Sequence, residues 1–239
     1  MVPSRNSLKV KLFADGADLA GMVEMASKPF ISGLTTNPTL MKKAGIRNYA
    51  KFAKEVIENV KDKPISFEVF SDDLSEMKEQ ALKIASWGEN VYVKIPISNT
   101  FGESTKELVR HLSYNGVKVN VTAIMTIAQV EEISKSLNPD VESYVSVFAG
   151  RIADTGRDPL PIMRQSLKQL AGNKKTELIW ASPRELLNIF QADEIGCHII
   201  TATSDILQKL SIVGKDLNEY SLETVKMFYN DAKDSGFKL

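Results

Sequence analysis

The run Val91-Tyr92-Val93-Lys94-Ile95-Pro96 is β-branched or aromatic until one lysine interrupts it and a proline closes it. Apolar on both faces, it suits a strand buried in a parallel sheet. Seven similar runs surround it: Lys9–Ala14, Ile31–Leu34 and Ile65–Phe70 before it, then Val117–Thr122, Tyr144–Phe148, Leu178–Ala181 and His198–Thr201. Amphipathic stretches lie between them, with Phe52, Ala53, Val56, Ile57 and Val60, then Leu74, Met77, Ala81, Ile84 and Ala85, then Ile127, Val130, Ile133 and Leu137 spaced to form helical stripes. Asp158-Pro159 and Ser182-Pro183-Arg184-Glu185 each read as an N-cap with proline at the first helical position, the second also as a capping box. Strand then helix, eight times, predicts an α/β protein with right-handed crossovers, and eight units can close into a single (β/α)8 TIM barrel. An open doubly wound sheet is the alternative. Against it, no G-x-G-x-x-G follows the first strand and no G-x-x-x-x-G-K-[ST] occurs.

No linker or low-complexity tract divides residues 1–239, which read as one domain. Beyond the eighth unit, Leu222, Val225, Phe228 and Tyr229 fall at helical spacing within Ser221–Asp234, an additional C-terminal helix that needs something to cover it. With 43% hydrophobic and 25% charged residues, the chain falls among ordinary globular proteins. Its thirty basic residues balance thirty acidic ones and are scattered, so neither a nucleic acid nor a membrane is expected as partner. One cysteine, Cys197, excludes an internal disulfide and a cysteine zinc site, and two histidines make a histidine metal centre unexpected. No metal is therefore expected. Met1–Asn6 has no apolar signal segment after it, and the expected location is the cytoplasm.

In a parallel barrel the C-terminal ends of the strands converge on one mouth. Asp15 ends the first strand, Thr35-Thr36-Asn37 the second, Glu68 lies on the third and Lys94 on the fourth. Asn120 and Thr122 lie on the fifth, Ser146 and Arg151 follow from the sixth, and Ser182 and Arg184 from the seventh. Each has a plain structural reading. Lys94 could pack its stem and send its head to the rim. Asp15 and Glu68 could neutralise it, Asn37 before Pro38 could be a turn residue, Thr35 and Thr36 β-formers, and Ser182 an N-cap. Together they support chemistry. A lysine among apolar strands has its charged form disfavoured, which supplies the neutral amine that attacks a ketone. Two carboxylates beside it supply acid/base groups. Arg184 beside a helix start at Ser182, and Arg151 after a glycine that would let backbone approach a ligand, suggest a grip on phosphate. Cys197 and His198 read as packing residues.

Ser32-Gly33-Leu34-Thr35-Thr36-Asn37-Pro38, Val91–Pro96, Val119-Asn120-Val121-Thr122 and Ser146-Val147-Phe148-Ala149-Gly150-Arg151 resemble the transaldolase family, in order and over nearly the whole chain. Length and the tail around Gly214-Lys215-Asp216-Leu217 are similar to its short-chain branch. The resemblance implies a transaldolase, with Lys94 as a Schiff-base lysine carrying a dihydroxyacetone unit between a ketose phosphate (fructose 6-phosphate or sedoheptulose 7-phosphate) and an aldose phosphate (erythrose 4-phosphate or glyceraldehyde 3-phosphate). It implies Asp15 as the acid/base at the C4 hydroxyl, and Glu68 with Thr122 as the pair that positions a water. It further implies Asn37, Asn120 and Ser146 as hydroxyl contacts beside Thr36, and Arg151, Ser182 and Arg184 as the phosphate site. No cofactor is implied, and a homo-oligomer, a pentamer or decamer, is.

The same family holds fructose-6-phosphate aldolase, which releases free dihydroxyacetone. That branch typically has glutamine at the position of Glu68 and tyrosine at that of Phe148. Phe148 can neither donate nor accept a proton, so water handling falls to Glu68 and Thr122 and transfer is expected over release. A silent sugar-phosphate-binding barrel is the remaining alternative, disfavoured because a binding module has no need of a costly strand lysine. Thr201-Ala202-Thr203-Ser204 departs from the family's more apolar, proline-containing run and leaves the mouth beside the eighth strand open.

Overall fold

Each of the eight runs forms a strand in the computed structural model, which describes residues 7–238. The strands are β1 (Lys11–Asp15), β2 (Ile31–Thr35), β3 (Ile65–Glu68), β4 (Val91–Pro96), β5 (Val119–Ile124), β6 (Ser143–Val147), β7 (Thr176–Trp180) and β8 (Ile199–Thr203). All pair in parallel with their sequence neighbours, and β8 pairs back onto β1, so the described residues form a closed (β/α)8 barrel. Met1–Asn6, where no signal segment was expected, lies outside the described residues. Among the described residues no helix is long and apolar enough to cross a membrane.

The amphipathic stretches are helices α3 (Tyr49–Asn59), α4 (Leu74–Ala85) and α6 (Ile127–Ser134). Their stripes, Phe52, Ala53 and Val56 on the first, Met77, Ala81 and Ile84 on the second and Val130 and Ile133 on the third, are buried against the sheet. Inside the ring a separate cluster of Phe13, Tyr92, Tyr144, Ile179 and Ile199 fills the barrel below the mouth. Tyr92 stacks on Tyr144 at 4.0 Å and Phe13 meets Tyr144 edge-on at 5.8 Å. Gly33 on β2 makes room, since a Cβ there would come within 2.5 Å of the Phe13 ring.

Side chains alternate along a strand, so the residue two places on shares the face of the one before. Two places beyond Phe13, Gly33, Tyr92, Tyr144 and Ile199 stand Asp15, Thr35, Lys94, Ser146 and Thr201. An apolar, tightly packed floor thus carries a polar layer at the C-terminal mouth.

Five local expectations change. Asn37 is an N-cap instead of a turn residue: its Oδ1 accepts from Leu40 N at 3.0 Å and Pro38 opens helix α2 (Pro38–Lys43). Arg151 is on helix α7 (Ala149–Asp154) instead of a loop. Ser182 is neither an N-cap nor part of a capping box. Its φ of 59° puts it in the left-handed region, and helix α9 (Leu187–Glu194) starts only after the chain has turned, with Asn188 Oδ1 receiving the amides of Arg184 and Glu185. The C-terminal helix α11 (Leu217–Asp234) begins four residues before the expected start, because Asp216 caps it by accepting from Asn218 N and Glu219 N. At helix α8 (Leu160–Leu170) the N-cap is Pro159, one residue on from Asp158, whose Oδ1 accepts from Leu160 N at 2.9 Å.

Candidate active site

Lys94 lies on β4 in register with Glu68 on β3 and Asn120 on β5. Its side chain is buried, and its Nζ sits 3.2 Å from Glu68 Oε2 and donates to the Thr36 carbonyl at 3.1 Å. Apolar strands alone therefore do not surround the amine. A carboxylate and a backbone oxygen hold it at the floor of a cavity of about 660 Å³, which Asp15, Asn37, Thr122, Ser146, Phe148, Arg151, Ser182 and Arg184 also line.

Ten of the twelve residues singled out in the sequence reach this cavity. Thr36 and Asn120 do not line it and act from behind. Thr36 offers its carbonyl to Lys94. Asn120, fully buried, donates to Ser66 Oγ at 2.9 Å and accepts from Ser146 Oγ at 2.7 Å, which aligns three strands under the mouth. Ser146 thereby spends its proton on Asn120 and presents lone pairs to the cavity. The Thr122 hydroxyl is buried and has no hydrogen-bond partner among the described residues. A hydroxyl left so costs about 1–3 kcal/mol, which a water or substrate hydroxyl bridging it would recover.

Asp15 opens onto the cavity, yet protein crowds it on nearly every side, and that burial pushes its pKa up. Lys94 and a 2.8 Å hydrogen bond from the Thr35 hydroxyl pull in the opposite direction, and Glu68 adds to the rise. Burial wins, so the carboxyl is a readier proton acceptor than an exposed aspartate.

At the other end of the cavity the Arg151 guanidinium rests over the Phe148 ring at 5.9 Å. Arg184 pairs with Asp154 at the end of α7 through Nε and Nη2, leaving Nη1 uncommitted. The glycine before Arg151 has a packing reason of its own. A Cβ on Gly150 would fall 1.6 Å from the Ser182 carbonyl oxygen, so glycine is required for α7 to close against the loop after β7. Only two described non-glycine residues have positive φ, Ser182 and Ala123 (62°, beside Thr122), and both line the cavity. Backbone strain of this kind concentrates at functional sites.

Several participants escaped the sequence reading. Lys43, Thr201, Thr203 and Asp205 line the cavity on the side of β1, β2 and β8, and Asp154 holds Arg184. The hydrophilic Thr201–Ser204 run marked the place without showing what it touches. Nothing in the spacing joins residue 154 to 184. Cys197 and His198 do pack: the thiol is fully buried, pushed up to about 12, and His198 Nδ1 accepts from Leu178 N at 2.9 Å.

A protein from Vibrio cholerae O1, 3-keto-L-gulonate-6-phosphate decarboxylase, superposes with a TM-score of 0.56 at 12% identity, over 89% of this chain and 96% of that one, a likeness of fold alone. A protein from Thermoanaerobacter named "Probable transaldolase" is 34% identical over 232 residues, 96% of this chain and 100% of the relative. One from Listeria monocytogenes named "Probable transaldolase 2" is 34% identical over 203 residues, 84% of this chain and 88% of the relative. Residues 12–239 match the family described as transaldolase/fructose-6-phosphate aldolase. With its lysine, carboxylates and arginines gathered at one barrel mouth, the chain belongs to that transaldolase/fructose-6-phosphate aldolase family.

Proposed function

We propose that the chain is a class I transaldolase that moves a dihydroxyacetone unit from fructose 6-phosphate to erythrose 4-phosphate through a Schiff base on Lys94. The observation that carries this reading is the seating of Lys94 Nζ, 3.2 Å from Glu68 Oε2, in a cavity it shares with Asp15, Arg151 and Arg184. The names of the relatives in Thermoanaerobacter and Listeria support it.

The amine attacks the C2 ketone, Glu68 accepts the proton Lys94 releases, and loss of water through the Glu68–Thr122 pair gives an iminium. Asp15 takes the C4 hydroxyl proton, the C3–C4 bond breaks, and its electrons enter the iminium to give an enamine while glyceraldehyde 3-phosphate leaves. The enamine then attacks the acceptor aldehyde, Asp15 returns the proton, and water frees sedoheptulose 7-phosphate and the lysine. Arg151, Arg184 and Ser182 hold the phosphate. Asn37, whose amide nitrogen is not used in capping, and Ser146 bind hydroxyls. Phe148 closes one wall without an exchangeable proton, which favours transfer over release of dihydroxyacetone.

Borohydride reduction with fructose 6-phosphate should leave a dihydroxyacetone-sized adduct on Lys94, seen by peptide mass analysis and absent in Lys94→Ala. Unmodified parent protein would overturn the reading. Sedoheptulose 7-phosphate formed only when erythrose 4-phosphate is present marks transfer, whereas equal release of dihydroxyacetone without it marks an aldolase.

The whole chain, residues 1–239, acts as one barrel unit with α11 docked on a second copy, in a ring-like homo-oligomer. No residue of α11 is buried, and Leu222, Val225, Phe228 and Tyr229 are all more than half exposed, an apolar face of the kind that subunit contacts cover.

A further inference from the structure

Thr35 Oγ1 lies 2.8 Å from Asp15 Oδ1 and 2.5 Å from Thr201 Oγ1. Both threonines are buried. They come from β2 and β8, the two strands that flank β1, so their hydroxyls meet across the inner face of the strand that carries Asp15. A threonine has one hydroxyl proton. With Asp15 ionised, Thr35 gives its proton to the carboxylate, so the contact with Thr201 then requires Thr201 to be the donor. The direction of the chain is thereby set: Thr201 to Thr35 to Asp15.

We propose that Thr201 is a positioning residue for Asp15, acting through Thr35 as the outer member of a two-hydroxyl relay that stabilises and orients the carboxylate. This rests on the reading of Asp15 as the proton acceptor in carbon–carbon cleavage. A hydroxyl that accepts a hydrogen bond donates a stronger one, and in a site of low dielectric the effect is passed along the chain. The Thr201 proton also occupies a lone pair of Thr35, leaving the Thr35 proton only the carboxylate to face. Asp15 thus keeps a proton affinity raised by burial yet held below what burial alone would impose.

The charged groups that act on Asp15 are Lys94 from β4 and Glu68 from β3, and Lys43 from α2 and Asp205 from helix α10 (Ser204–Gln208) line the same cavity. None is altered by changes at 201. Asp205 accepts from Thr203, the register partner of Asp15, and does not join the relay.

The test is a ¹³C NMR titration of the Asp15 carboxyl in substrate-free protein, its resonance assigned by its loss in Asp15→Asn. Thr201→Val should raise the midpoint by roughly 0.3 pH unit, and Thr35→Val by roughly 1 to 2 units in the same direction. The double variant should titrate like Thr35→Val alone, because Thr201 then has no one to act through. Thr201→Ser should return to the parent midpoint while Thr201→Ala does not, a comparison between two small side chains that remains decisive if valine disturbs folding. The acid limb of kcat/KM should follow the same order. A parent-like midpoint in Thr201→Val and Thr201→Ala, or a full additional shift in the double variant, would overturn the relay. Because the titration needs no substrate, a missing borohydride adduct would remove the proposed reaction without touching this result.

Discussion

Asp15 is held as a carboxylate against the pull of its surroundings. Its pKa is raised in the folded chain, with burial the leading cause. A group raised on folding adds stability that is complete below its unfolded pKa, near 3.8, and is lost as pH rises through the folded value. Asp15→Asn is therefore expected to raise the melting temperature at pH 7 to 8, with the gain shrinking toward zero as the pH falls to about 4, while transfer activity drops by two orders of magnitude or more. Melting curves of both proteins across that range check it, and an unchanged difference at all pH values would count against the assignment. Lys94, Glu68 and Asp15 were legible because each places an ionisable side chain where an apolar strand should continue, a conflict visible in one dimension. The partners behind them were not. Asp154 meets Arg184, and Thr201 meets Thr35, only after separate strands have been brought together, and threonine in a strand contradicts nothing locally.

Among the elements, the seam between β7 and β8 is short, with register pairs only at Ile179–Ile199 and Trp180–Ile200. His198 extends it from outside the ladder, because its neutral Nδ1 accepts the Leu178 amide. Burial lowers the His198 pKa, Glu177 opposes this and Lys11 reinforces it. A histidine depressed on folding contributes stability that is present above its unfolded pKa, near 6.5, and lost as pH falls through the folded value, when Nδ1 gains a proton and can no longer accept. Protection factors for amide exchange at Leu178 and Ile179 should fall in the parent as the pH drops from neutral through the titration of His198, and His198→Asn should remove that pH dependence. An equal fall in both proteins would show that the histidine does not govern the seam. The strands themselves were legible from composition to within about two residues. Helix starts were less so: Ser182-Pro183 has the lettering of an N-cap, but the backbone takes a left-handed turn at Ser182, where its carbonyl occupies the space a side chain on Gly150 would need, and the helix begins later.

At the scale of the whole molecule, the barrel buries its own core while α11 buries none of its residues. The Lys215–Glu223 ion pair and Lys215 over the Tyr220 ring at 4.8 Å join the first turns of the helix to the residue just before its cap, not to the barrel. If α11 makes the proposed subunit contact, a chain ending at Lys215 is expected to keep the barrel's circular dichroism while the mass read by light scattering falls to that of one subunit. An unchanged mass would place the subunit contact elsewhere. The 1.6 Å clash that a Cβ on Gly150 would make with Ser182 has a consequence for anyone who wishes to redesign this catalyst. Helix α7 and the loop after β7 are two halves of one fitting, so a graft that transplants either alone carries half a lock into a foreign key. Libraries should exchange the pair together and spend their diversity at Lys43, Thr203 and Asp205, which line the same cavity.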